Sequence, residues 1–358
     1  VGLVRPTAVE IDLGAIRHNV GEFRRLVAPA QVCAVVKADA YGHGDVPVGE
    51  AAIEAGAGLL AVALVEEGAR LREAGIDCPI LLLSEPWSGD AAAVVHWDLT
   101  PTVYSREFID ALAATGRRIS AHLKIDTGMH RVGARPEDAR ALAEHARSSG
   151  IEIEAAWTHF AVADEDPAYT RRQIAGFEEV ASDLDVRRTH LANTAGAALF
   201  PEARADMVRI GLGTYGLHPC PETREVLDLR PAMRMVSRVV HVQRLEAGER
   251  PSYGRIRELA RASTVATVPV GYADGFARGR SGDVLINGNR YPLAGRVTMD
   301  QVLVDVGDDP VSVGDEVVVI GRQGSEEVTA DEWAAELGTV SYEIVCSIGP
   351  RVPRRYLE

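Results

Sequence analysis

The sequence runs to 358 residues, is 46% hydrophobic and 25% charged, and carries a net charge of −14. That length exceeds one ordinary domain and suits a barrel followed by a second domain, while the acidic balance argues against nucleic acid or an anionic membrane surface as a partner, since both need clustered positive charge. No apolar run reaches membrane-spanning length, the opening "VGLVRPTAVEIDL" lacks the basic region and apolar core expected of a signal peptide, and four cysteines without metal-ligand or disulfide spacing fit reduced thiols in a cytoplasmic protein.

In chain order, "DLGAIRHNVGEFRRLVA" opens on Asp12 as an N-cap and repeats Leu13, Ile16, Val20, Phe23 and Val27 at helical spacing. Eight apolar runs follow as strands: "VCAVVKA", "GLLAVAL", "PILLLS", "TPTVY", "AHLKID", "IEAAWTHF", "THLAN" and "DMVRIG". Amphipathic helix patterns such as "VEEGARLREAG" and "PEDARALAEHARSSG" separate most of them. Strands apolar throughout, alternating with such helices, predict a parallel sheet covered on its outer face, and eight units predict a closed (β/α)8 TIM-like barrel over residues 1–235. An open doubly wound sheet is the alternative, but no G-x-G-x-x-G follows the first strand.

"LHPCPETREVLDLRPAMR" reads as a linker. Residues 236–358 then read as a mostly-β domain, with strands in "MVSRVVHVQRL", "STVATVPVGYA", "VTMDQVLVDVG" and "DEVVVIG". A hairpin turns at Asn287–Asn289, and one late helix is capped by Thr329. The basic tail "GPRVPRRYLE" reads as a solvated end.

Polar residues stand out at the ends of these apolar strands. Lys37 ends the first, Lys124 and Asp126 the fifth, His159 the sixth, Asn193 and Thr194 the seventh, and Arg209 lies inside the eighth. The C-terminal face of such a barrel is where active sites form, so five strands place their odd residues at one mouth. The loops "ANTAGA" and "RIGLGTYG" offer hydroxyl and glycine N–H donors where such barrels often hold a phosphate; the plainer reading is two tight turns that need glycine. A phosphate beside a lysine points to a phosphorylated aldehyde held as a Schiff base, with pyridoxal 5'-phosphate as the candidate cofactor. His43, Trp87, Trp97 and Trp157 read as loop support or packing.

Nine segments, in order, resemble the alanine racemase family of fold-type III pyridoxal-phosphate enzymes: "AVVKADAYGHG", "LKIDTGMHRVG", "THFAVADE", "HLANTAG", "VRIGLGTYGLHP", "SYGR", "PVGYADGF", "GRVTMDQ" and "VSYEIVCSIGPRVPR". The resemblance implies interconversion of L- and D-alanine, supplying D-alanine for peptidoglycan. It implies that Lys37 holds the cofactor and serves as one base, and that Tyr253 of the partner subunit serves as the other. Removing the α-proton and returning it to the opposite face needs a base on each side of the substrate. Tyr41, Thr194, the backbone at Gly211 and Leu212, and Tyr342 match the phosphate-binding positions, and Asn193 is a further cofactor-binding candidate. Arg209 matches the group facing the pyridine nitrogen, and His159 the histidine beside the tyrosine. Arg131 and the Met299 backbone match the groups holding the substrate carboxylate. Tyr272 matches a residue lining the entrance, and Lys124 a lysine often carbamylated. The family pairs as a head-to-tail homodimer, and its first few residues often join the β-domain. Thr298 stands where a cysteine is common, and Thr194 where a serine is, which leaves substrate range open. A serine or broad-specificity racemase, a fold-type III decarboxylase and a non-catalytic cofactor carrier are the rival readings.

Overall fold

The structure is a computed structural model and describes residues 5–358. These residues form two compact units: 14–40 with 44–230, and the residues up to 13 with 41–43 and 231–358.

The chain opens on β1 (Ala8–Asp12), which runs directly into α1 (Leu13–Val27). The eight expected barrel strands follow as β2 (Gln31–Val35), β3 (Leu59–Val62), β4 (Ile80–Leu82), β5 (Thr102–Val103), β6 (Ile119–Lys124), β7 (Ile151–Trp157), β8 (Arg188–His190) and β9 (Met207–Ile210). Interleaved are the short turn α2 (Lys37–Gly42) and helices α3 (Asp45–Glu54), α4 (Val65–Glu73), α5 (Ala91–His96), α6 (Arg106–Ala113), α7 (Ala139–Ser148), α8 (Pro167–Ala181) and α9 (Thr194–Leu199). The strands pair in parallel as β4-β3-β2-β9 and β5-β6-β7-β8. Backbone bonds join the two halves: Thr100 N–H donates to the Ile80 carbonyl at 2.8 Å, and Arg209 N–H to the Ala192 carbonyl at 2.9 Å. The ring therefore closes, and most of its strand residues are buried on both faces. Trp87, expected to pack, is instead 79% exposed in the loop after β4.

One close approach fixes the end of β9 against α1. A Cβ on Gly213 would stand 2.4 Å from a Phe23 ring carbon and 2.9 Å from the Thr194 methyl, and Phe23 is fully buried. Gly213→Ala should cost about 1–3 kcal/mol, the usual penalty for overpacking, read as a lower midpoint in urea unfolding with an unchanged slope.

The other unit is built on a seven-stranded sheet ordered β14-β13-β16-β10-β1-β18, with β17 on β16, beside a three-stranded sheet β11-β12-β15. Its strands are β10 (Met233–Arg238), β11 (His241–Leu245), β12 (Ser263–Val268), β13 (Asp283–Ile286), β14 (Asn289–Pro292), β15 (Val302–Gly307), β16 (Glu316–Gln323), β17 (Glu326–Val328) and β18 (Arg354–Leu357). Helices α10 (Ala330–Leu337) and α11 (Ser341–Cys346) complete it. The run 235–245 splits between the two sheets, and the basic tail is an edge strand, β18, paired in parallel with β1. The hairpin turn has φ of +52° at Asn287 and +80° at Gly288, the paired positive angles that suit a two-residue hairpin.

Candidate active site

Lys37 stands two residues past the end of β2 and opens α2. That turn is left-handed: φ is +54° at Ala38, +53° at Asp39, +51° at Ala40, +53° at Tyr41 and +78° at Gly42. Each non-glycine residue so placed costs about 1–2 kcal/mol. Such backbone persists only where its surroundings hold it, and here the Glu67 carboxylate accepts the Ala38 N–H at 2.6 Å.

Arg209, on β9, is 2% exposed. One Nη donates to His190 Nδ1 at 2.8 Å and to the His190 carbonyl at 3.1 Å. The other donates to the carbonyls of Thr158 at 2.7 Å and Leu191 at 2.8 Å, and lies 3.3 Å from His159 Nδ1. Burial lowers its pKa to about 10, so it remains a cation at neutral pH. Arginine has no acceptor, so His190 must accept at Nδ1 and carry its proton on Nε2. That proton is donated to His122 Nδ1 at 3.0 Å, which puts the His122 proton on Nε2 in turn. Both rings are neutral: burial, reinforced by the neighbouring arginines, holds His122 down at about 4 and His190 well below its ordinary range. His159 is neutral for the same reasons, burial first and then Arg209, Lys124, Arg131 and Lys37.

Lys124 ends β6 and is 4% exposed. Its ammonium lies 4.3 Å from the centre of the Trp157 ring and 3.4 Å from the Leu83 carbonyl. The Arg209 guanidinium lies 4.4 Å from the same ring. Trp157, read from sequence as packing, is therefore the π surface on which two cations rest. Asp126 does not pair with Lys124; its Oδ1 accepts N–H bonds from Gly128 and His130, both at 3.0 Å, shaping the loop that carries Arg131. Burial, then the charges of Arg209, Arg131 and Lys37, bring the Lys124 pKa down to about 7. Between pH 7 and the ordinary lysine value near ~10.4, the unfolded chain binds a proton that the native one does not. Stability therefore rises with pH across that window, and the penalty is complete below about 7. Lys124→Met should melt several degrees higher at pH 6 in CO2-free buffer, with the gain shrinking as pH approaches 10.

Thr194 and Asn193 open α9. Asn193 Oδ1 caps that helix by accepting the Gly196 N–H at 2.9 Å. Thr194 Oγ1 accepts N–H bonds from Gly211 at 3.2 Å and Gly213 at 3.3 Å, drawing the loops after β8 and β9 together beside the buried Leu212. Both hydroxyl lone pairs are thus engaged, which leaves its O–H to serve an acceptor such as a phosphate oxygen. Arg209 likewise has both Nη groups engaged, leaving Nε–H to face an acceptor, as an unprotonated pyridine nitrogen is. These donors, the amine of Lys37 and the surrounding cations fit pyridoxal phosphate. Among the described residues there is no cluster suited to a metal ion.

The sequence contains two lysines against 36 arginines, and both lysines are in this mouth. That contrast was a signal available from composition alone. The roles of His122, His190 and Glu67 left no such mark.

The remaining candidates lie in the other unit. Tyr41 and Tyr342 pair there with ring centres 5.9 Å apart, and His43 Nδ1 lies 2.9 Å from the Tyr41 carbonyl. Tyr253 is 70% exposed, Met299 52% and Tyr272 39%. Two loops tie Tyr272 to Met299: Tyr272 N–H donates to the Thr298 carbonyl and Ala273 N–H to the Met299 carbonyl, both at 3.1 Å. Beside Tyr253, the Ser252 hydroxyl donates to the Arg296 carbonyl at 2.6 Å.

Residues 11–219 match the family model for the alanine racemase N-terminal domain, and residues 232–356 that for the C-terminal domain. The alanine racemase of Symbiobacterium thermophilum is 48% identical, over 99% of this chain and 97% of its own length. That of Desulfovibrio desulfuricans is 43% identical over 100% of both. Among solved structures, alanine racemase from Bacillus anthracis with bound L-Ala-P has a TM-score of 0.94 at 37% identity, covering 100% of this chain and 96% of that one. The enzyme from E. faecalis has the same score at 38% identity, covering 100% of each chain. The chain belongs to the alanine racemase family.

Proposed function

We propose that the barrel mouth around Lys37 is the active site and that a second copy of the chain completes it. The enzyme is a pyridoxal-phosphate-dependent isomerase that interconverts L- and D-alanine. The observation that carries the site assignment is the cation cluster at one end of the barrel: Arg209 lies 3.3 Å from His159 and shares the Trp157 ring with Lys124, with Lys37 and Arg131 close enough to act on the same histidine. An amino-acid carboxylate and a phosphate are both anions, and this mouth is cationic.

Bound pyridoxal phosphate supplies the electron sink that makes the substrate Cα–H acidic. The Thr194 hydroxyl and the backbone at Gly211 and Leu212 would hold its phosphate, the Gly211 N–H being shared with Thr194 Oγ1, and Asn193 keeps that loop in shape. Arg209 would donate its Nε–H to the ring nitrogen and, being a permanent cation with no acceptor atom, would keep that nitrogen unprotonated. Lys37 takes or returns the proton at Cα on one face, and Tyr253 of the partner subunit does so on the other. Arg131 binds the substrate carboxylate, together with the backbone of the partner's Met299, and the partner's Tyr272 narrows the entrance. Lys124, with its amine near half neutral at pH 7, takes up CO2 as a carbamate with release of one proton, and the new carboxylate orients Arg131. Activity is expected to respond to bicarbonate and Lys124 to gain the mass of one CO2. The four free cysteines suit a reducing compartment, the cytoplasm.

Two chains per site can be tested by co-expression. Lys37→Ala and Tyr253→Phe should each be inactive alone. Random pairing puts half of the chains in mixed dimers with one intact site each, so the mixture should recover roughly a quarter of wild-type activity. A dimeric mixture no more active than either parent defeats the shared site.

A further inference from the structure

We propose that Glu67 and Arg70, one helical turn apart on α4, are positioning residues that aim Lys37 by gripping both ends of the left-handed turn that follows it. This rests on the assignment of Lys37 as the cofactor-holding base. Glu67 is 8% exposed. Its Oε2 accepts N–H bonds from Ala63 at 2.8 Å and Leu64 at 3.1 Å, the ordinary task of an acid three residues into a helix. Its Oε1 leaves the helix and accepts the Ala38 N–H at 2.6 Å. That N–H belongs to the peptide unit joining Lys37 to Ala38, so the bond fixes ψ of Lys37 and with it the direction in which the side chain departs.

The far end of the turn is held by the same helix. Arg70 Nε donates to Asp45 Oδ2 at 2.6 Å, with a second contact from the guanidinium to the same oxygen. Asp45 is 4% exposed, and its N–H donates to Asp39 Oδ1 at 3.1 Å inside the turn. The Gly44 N–H donates to the Asp39 carbonyl at 2.9 Å. Four successive non-glycine residues in the left-handed region will relax to ordinary angles if released. A relaxed turn would swing the amine of Lys37, and a displacement of an ångström is enough to impair chemistry.

Glu67→Gln separates the two tasks of the carboxylate. The amide oxygen can still serve Ala63 and Leu64, but the amide NH2 then meets the Ala38 N–H, donor against donor. Ala38→Gly adopts the left-handed angle without penalty and so removes the strain at the one position that the Glu67 bond holds. The test is hydroxylamine displacement of cofactor from the holoenzyme, followed as loss of the visible band near ~420 nm, together with kcat and KM and the melting temperature. Glu67→Gln should release cofactor about tenfold faster and lower kcat by a similar factor with KM little changed. The pair Glu67→Gln with Ala38→Gly should return both rates to within about threefold of wild type. Wild-type release by Glu67→Gln overturns the proposal. So does a defect that Ala38→Gly does not relieve and that follows the melting temperature, since Glu67 then serves only the fold. Borohydride trapping and peptide mapping of the wild-type sample identify the modified lysine independently. A label on a residue other than Lys37 overturns the site assignment and this proposal together; a label on Lys37 with a silent Glu67→Gln overturns the grip alone.

Discussion

Lys37→Ala should reduce racemisation at least ~10⁴-fold, because it removes both a general base and the covalent hold on the cofactor. The other lysine cannot take its place. Lys124 is buried against Trp157 with its amine on the Leu83 carbonyl, and it ends β6 on the opposite half of the ring from β2. Circular dichroism of L-alanine should stay constant with time, and the band near ~420 nm should be absent even at saturating cofactor. Added methylamine should restore a little of the band and little of the racemisation, since a free amine lacks the orientation that the strand end provides. Substantial racemisation by Lys37→Ala would falsify the assignment.

Tyr253→Phe should lower the rate about 10²–10⁴-fold in both directions, the range expected for removing one acid–base group. It should do so selectively. Lys37 on the remaining face can still remove the α-proton of one enantiomer and return it to the same side. In D2O, one enantiomer of alanine should therefore exchange its α-hydrogen without inverting, while the other is inert. Equal exchange of both enantiomers would show that the two faces are not divided between two groups. Tyr253 is 70% exposed on the chain, so losing its hydroxyl should leave thermal stability within about 0.5 kcal/mol, as for surface substitutions generally.

The barrel was legible because most of its eight strands are short apolar runs bounded by turns or amphipathic helices, and burial on both faces demands that pattern. What escaped is held by distant partners. β18 is "RRYL", a charged sequence that becomes a strand only because β1 offers an edge more than 300 residues earlier. The run 235–245 contains no glycine, proline or asparagine, so no turn residue marks Val239–Val240 as the point where the chain passes from one sheet to the other. The left-handed turn after Lys37 contains Ala38, Asp39, Ala40 and Tyr41 before its first glycine, so the usual sign of positive φ is missing.

The same division runs through the site. Lys37, Thr194 and Arg209 were conspicuous as polar residues at apolar strand ends. Glu67 is one of two acids in the first turn of its helix, and nothing local singles out His122 among the polar residues of β6 or His190 among those of β8. Their meaning lies in pairs 29 and 68 residues apart, Glu67 with Ala38 and His122 with His190, which no spacing rule connects.

The two lysines have a practical consequence. Reagents that acylate or alkylate amines have no surface lysine to consume them, so an activated ester in excess over the chain's terminal amine would act on the catalytic pocket and silence the enzyme. Bound cofactor should shield the pocket from such treatment, and exchanging a surface arginine for lysine would supply a harmless side-chain attachment point.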